Sequence, residues 1–95
     1  MINVFEVAPE RQAELVRAWV DMTERIMQHC AGFISANVHA STDGRRVVNY
    51  AQWESEKHFQ DLLRDPEVRA EFDRLGAIAE RMDPHLYTVE SIHHS

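Results

Sequence analysis

The sequence predicts one α+β domain: an antiparallel sheet with helices packed on one of its faces. Three observations point there. Short runs rich in Val, Ile, Phe, Tyr and Trp are interleaved with longer stretches whose apolar residues fall at helical spacing. An Asp43-Gly44 step between two of the runs marks a hairpin. The length of 95 residues, 44 % of them hydrophobic, suits a single core of modest size spanning residues 1–95.

Taken in order, residues 2–7 alternate and place Ile, Val, Phe and Val on a first strand. Pro9 suits the first turn of a helix. From there to about Cys30, the residues Leu15, Val16, Trp19, Val20, Met22, Ile26 and Met27 recur at helical spacing. Gly32 falls where a C-terminal cap is expected. Residues 33–41 and 46–54 read as the two strands of the hairpin. Ser55 is placed to cap a short helix carrying Phe59, Leu62 and Leu63. Asp65-Pro66 reads as a cap and first-turn proline for a third helix carrying Val68, Phe72, Leu75, Ala79 and Met82. Gly76 within it suggests a close approach. Pro84 is expected to end that helix, and residues 86–92 to form a last strand. The order βαββααβ makes a ferredoxin-like arrangement the natural candidate, with the first and third strands neighbours at the sheet centre.

Strand parity extends the reading. A two-residue Asp-Gly loop would pair Thr42 with Arg45, and so Ala40 with Val47, Val38 with Asn49, Ala36 with Ala51 and Ile34 with Trp53. This face is small and apolar apart from Asn49 and the indole, and is expected to lie under the helices. The other face pairs His39 with Val48, Asn37 with Tyr50, Ser35 with Gln52 and Phe33 with Glu54. It is too rich in aromatic and branched residues for ordinary wet surface, so a second subunit is expected to cover it, closing two sheets into a dimeric α+β barrel.

Composition excludes several classes. The net charge of −6 with no basic block argues against nucleic acid and against an anionic membrane surface. No apolar run is long enough to span a bilayer, and no signal peptide is visible. A lone cysteine, Cys30, allows no intrachain disulfide and fits a cytoplasmic setting. His29 and Cys30 are adjacent on a helix and point apart, so no metal site is expected. His58 and Arg69 are expected to be solvated.

The residues that could carry chemistry are Asn3, Asn49 and Trp53. Asn49 and Trp53, four apart on one strand, share a face. If Asn3 lies on the same side of the first strand, with Phe5, it meets Asn49 across the central pair. Two carboxamides and an indole N–H would then point into one apolar space. A buried carboxamide without a partner costs about 1–3 kcal/mol, so the three need one another, a water or a ligand.

The stretch from Val38 to Glu56, with His39-Ala-Ser-Thr-Asp-Gly44 and Val47-Val-Asn-Tyr-Ala-Gln-Trp53-Glu-Ser-Glu56, closely resembles the antibiotic biosynthesis monooxygenase family. It is most similar to members that oxidise anthrone-type intermediates to quinones in aromatic polyketide pathways. The resemblance implies a ferredoxin-like homodimer that uses no flavin, haem or metal. It implies a small aromatic substrate and dioxygen as partners, bound between helices and sheet. Asn49, Trp53 and Asn3 match the family's site positions and are expected to be catalytic. Phe5, Val38, Phe59 and Phe72 are expected to line the substrate space. Some relatives carry a tyrosine and an arginine where this chain has Phe59 and Phe72, and haem-degrading relatives carry a histidine at the latter. The expected activity is therefore a cofactor-free oxidation of a readily ionised phenol or anthrone to a quinone. The alternative is a dimeric small-molecule-binding protein without catalysis on the same scaffold.

Overall fold

The computed structural model describes residues 1–95. Strands β1 (Ile2–Glu6), β2 (Phe33–Ala40), β3 (Arg46–Trp53) and β4 (Arg81–His85) form one antiparallel sheet in the order β2-β3-β1-β4. Helices α1 (Gln12–Arg25), α2 (Glu56–Leu63) and α3 (Pro66–Ile78) connect them. This is the ferredoxin-like βαββααβ order, with β1 and β3 paired at the centre. The helical stretch after Pro9 is interrupted at both ends. It opens with a 3₁₀ turn (Pro9–Arg11) and gives way to another at Met27–His29.

One face of the sheet carries the core. Asn3, Phe5, Val47, Asn49 and Ala51 are all buried on it, and Leu15, Trp19 and Met22 of α1 pack over them. Phe5 and Trp19 meet edge to face at 5.3 Å, and Trp19 meets Phe72 of α3 at 5.6 Å. An ion pair ties the two helices together: Arg25 lies 3.2 Å from the nearly buried Glu71.

Local chemistry sets the ends of the elements. The Ser55 hydroxyl accepts from the His58 N–H to cap α2, and the Asp65 carboxylate accepts from the Glu67 N–H to cap α3, with Pro66 behind it. Gly32 has φ +82°, and a Cβ there would run into the His58 ring. A side chain is therefore excluded at the point where β2 begins under α2.

The register of the hairpin follows the strand parity from Ala40–Val47 to Ser35–Gln52, but both of its ends differ from expectation. At the tip, Ser41 pairs with Arg46, and the Gly44 N–H donates to the Ser41 carbonyl at 3.1 Å. The loop is thus four residues, Thr42–Arg45, with Gly44 at φ +81°, and Thr42 and Arg45 are not strand partners. At the other end the register shifts between Phe33 and Ser35, so Trp53 opposes Phe33 rather than Ile34. The extra residue at Ile34 is bulged out and 55 % exposed, while Phe33 turns inward to meet Trp53 edge to face at 5.5 Å.

The C-terminal reading is corrected more deeply. Helix α3 stops at Ile78, and the last strand is 81–85, not 86–92. Met82 and Pro84 lie on that strand opposite Phe5 and Asn3. Pro84 ends no helix; it sits on an edge strand, where a missing N–H is tolerated. The run Arg81-Met-Asp-Pro-His85 has weak strand propensity, and the free edge of β1 overrides it. Residues 86–95 are exposed and without regular structure. Gly76 faces open space rather than a close neighbour. No helix is long and apolar enough to cross a membrane.

Candidate functional site

Asn3 and Asn49 are direct cross-strand partners at the centre of the sheet, and both are fully buried beneath the helices. The Asn3 Oδ1 has no hydrogen-bond partner, and neither does either polar atom of Asn49. The indole N–H groups of Trp53 and Trp19 are likewise buried and unpaired. Three donors and two acceptors are thus withdrawn from water in a domain with a core of only 13 buried apolar residues. At about 1–3 kcal/mol for each unmet group, this is a heavy load for a small fold.

A cleft of about 450 Å³ opens beside Asn3, between α3 and the β1–β4 edge. Its walls are Phe59, Leu63, Phe72 and Met82, with Arg69 and Asp73 of α3 also lining it. The size falls in the range of about 300–1,000 Å³ typical for drug-sized ligands, and an apolar lining with a few polar groups is the usual character of such sites. A second hollow, about 830 Å³, wraps the end of the sheet and is lined by Tyr50, Gln52, Trp53, Glu56, Phe59 and residues 86–89 among others.

The structure thus brings Asn3, Phe59 and Phe72 to one cleft and sets Asn49 behind Asn3. Trp53 lies beyond Phe59, 6.1 Å from it between ring centres, and borders the second hollow. Phe59 is the aromatic wall between the two spaces. Phe5 is wholly buried against Trp19 and lines neither hollow, and Val38, half-buried, faces the core opposite Asn49. Two groups escaped the sequence reading. Trp19 looked like ordinary helix core, and only its unpaired N–H sets it apart. Arg69, expected to be simply solvated, is exposed but stands at the cleft. No signal short of the helix packing places it there.

Burial pulls the Met1 amino group below its ordinary value, and that group donates to the Ala51 carbonyl at 2.9 Å at the end of the β1–β3 ladder. Burial pushes the Cys30 thiol up, assisted by Asp65. No group of three or more His, Cys, Asp or Glu side chains is gathered to hold a metal ion.

A ferredoxin-like domain of this kind is the fold of a recognised class of small oxygenases. Residues 1–74 match the antibiotic biosynthesis monooxygenase family model, and the chain belongs to that family. By relationship it is a monooxygenase of that family. It is 49 % identical over 79 residues to the tetracenomycin F1 monooxygenase of Streptomyces glaucescens, covering 83 % of this chain and 70 % of that protein. It is similar in structure to the monooxygenase from the gene ActVA-Orf6 of Streptomyces coelicolor, solved in complex with nanaomycin D. The TM-score is 0.76 at 31 % identity, over 95 % of this chain and 89 % of that one. SnoaB, a cofactor-independent oxygenase from Streptomyces nogalater, superposes with a TM-score of 0.83 over 96 % of this chain and 91 % of its own. At 21 % identity that last likeness speaks for the fold alone.

Proposed function

We propose that the protein oxidises a small phenolic or polycyclic aromatic of the anthrone or hydroquinone type to a quinone, with dioxygen and without a cofactor. The observation that carries this reading is the unpaired Asn3 carbonyl at an apolar cleft of aromatic-ligand size, with the unpaired Asn49 carboxamide behind it and the buried, unpaired indole N–H of Trp53 beyond Phe59. The relationship to tetracenomycin F1 monooxygenase supports the reaction class.

The chemistry asks for little that these residues lack. An anthrone methylene loses a proton to give a carbanion conjugated with the ring oxygens. The carbanion passes one electron to dioxygen, and the substrate radical and superoxide combine and take up a proton to give a hydroperoxide. Loss of water leaves a carbonyl, so one oxygen atom enters the product and one leaves as water. The barrier lies in forming the ionised substrate and holding oxygen beside it. The N–H donors of Asn49 and Trp53 are suited to an oxyanion that develops as the proton departs, and in a dry site such donors act with little reorganisation. The free carbonyl of Asn3 accepts from a phenolic hydroxyl and orients the ring. Phe59 and Phe72 pack on the ring faces and keep water out, so proton removal falls to the substrate's own acidity, to water or to a group at the cleft mouth.

The protein works as a homodimer in this reading, with a second copy covering the outer face that carries Val4, Val48 and Tyr50. The test is oxygen uptake by the purified protein, with chelator present, against a panel of anthrones and hydroquinones. Protein-dependent uptake matched one to one by quinone formation, with one oxygen atom inserted and no hydrogen peroxide released, is the expected result. Saturable binding of an aromatic with uptake at the spontaneous rate would instead make it a binding protein.

A further inference from the structure

Arg11, Arg25, Arg46, Arg64 and Arg74 each lie within ion-pair distance of a carboxylate. Arg17, Arg45, Arg69 and Arg81 have no such partner, and of these Arg69 alone lines the cleft beside Asn3, where it is the only arginine or lysine. It stands one turn before Phe72 on α3, and spacings of three and four put Arg69, Phe72 and Asp73 on one helix face. The protein's charge of −6 opposes the approach of any anion. A lone guanidinium at the mouth of an apolar cleft locally reverses that field, and its planar fork of donors matches a carboxylate or an ionised phenol. Asp73, also at the cleft, works against it.

We propose that Arg69 selects an anionic substrate: an aromatic whose far end carries a carboxylate or ionised phenol held at Arg69, while its reacting ring reaches inward past Phe59 and Phe72 to Asn3. This rests on the aromatic-oxidation reading above and narrows its substrate class. Arg69 is a positioning residue, remote from the reacting carbon. The opposing charge of Asp73 keeps the anionic end from being held too tightly for release.

The test is calorimetric binding of two probes, dihydroxyanthraquinone and its ring-carboxylated analogue. Mildly acidic buffer keeps the phenols protonated and the carboxyl ionised. The carboxylated probe is expected to bind the wild-type protein about tenfold more tightly, the factor that one modest charged contact supplies. Arg69→Gln should erase that preference and leave the neutral probe unchanged. Asp73→Asn should tighten the carboxylated probe alone. With a turned-over carboxylated substrate, Arg69→Gln should raise KM and leave kcat nearly intact. Equal loss of both probes in Arg69→Gln, or no loss of either, would overturn the anion selection while leaving the aromatic site standing. Failure of both probes to bind the wild-type protein would overturn the aromatic site and the selection with it.

Discussion

The tip of the β2–β3 hairpin and the centre of the sheet treat polar side chains in opposite ways. At the tip, the Gln12 Nε2 donates to the carbonyls of Ser41 and Arg46 at 2.9 and 3.0 Å. The Ser41 hydroxyl donates to Asp43 at 2.7 Å and accepts from the Arg46 N–H at 2.9 Å, and Asp43 also accepts from the Arg45 N–H. These groups lie near water and could have been left to it, yet they are partnered within the chain. On the sheet's inner face, Asn3 and Asn49 at its centre and the Trp53 indole N–H at its end are shut away from water with free donors and acceptors. A polar group that serves structure is satisfied by structure. Polar groups that are buried and unsatisfied together are the ground for the proposed site, with the adjoining cleft as its proposed entry.

Breaking one member of each region sharpens the contrast, and the largest effect belongs to the centre. Trp53→Phe keeps a six-membered aromatic ring against Phe33 and Phe59 but removes the pyrrole ring with its unpaired N–H. Turnover should fall about 100-fold, as for loss of one oxyanion donor, while the melting temperature drops only by the modest amount that the lost ring volume costs. Steady-state oxygen uptake and a thermal melt on the same preparation decide it; a stability loss with turnover kept would place Trp53 among ordinary core residues.

Ser41→Ala should do the reverse. It removes the hydroxyl that bridges Asp43 and the Arg46 N–H, and should cost about 1 kcal/mol of stability, read from urea unfolding, with kcat and KM unaltered. The smallest effect is a dependence on acid. The Ser41 hydroxyl, followed by the Arg45 N–H, holds the Asp43 carboxyl below the ordinary aspartate value of 3.8. A carboxyl lowered by folding contributes stability above its unfolded pKa and loses that contribution as the pH falls through the folded one. The stability difference between wild type and Asp43→Asn should therefore be constant near neutrality and shrink below about pH 3.9. A difference that stays flat into strong acid would show that the tip network does not need the charge.

The two regions were also unequally legible. Val47, Asn49, Ala51 and Trp53 alternate cleanly, so the face shared by Asn49 and Trp53 could be read from parity, as could the meeting of Asn3 with Asn49. Ser55 and Asp65-Pro66 announced their helices through capping chemistry that acts over three residues. What stayed hidden depended on distant neighbours. The Ile34 bulge answers to the packing of Phe33 on Trp53, which no local pattern encodes. Strand β4 forms because β1 offers a free edge, while its own residues suggest a helix tail and a proline stop. The place of Arg69 at the cleft depends on how α3 lies over β1, a matter of three-dimensional packing.

The most direct test of the central claim is Asn49→Leu, which replaces the buried carboxamide by an apolar side chain with the same branching and number of heavy atoms. If Asn49 is kept for a ligand at the expense of the fold, removing its unmet donor and acceptor should raise the melting temperature while oxygen uptake falls to the spontaneous rate. A lower melting temperature with turnover preserved would contradict the account, showing Asn49 to be a structural residue and the unpaired groups at the sheet centre to have no part in the reaction.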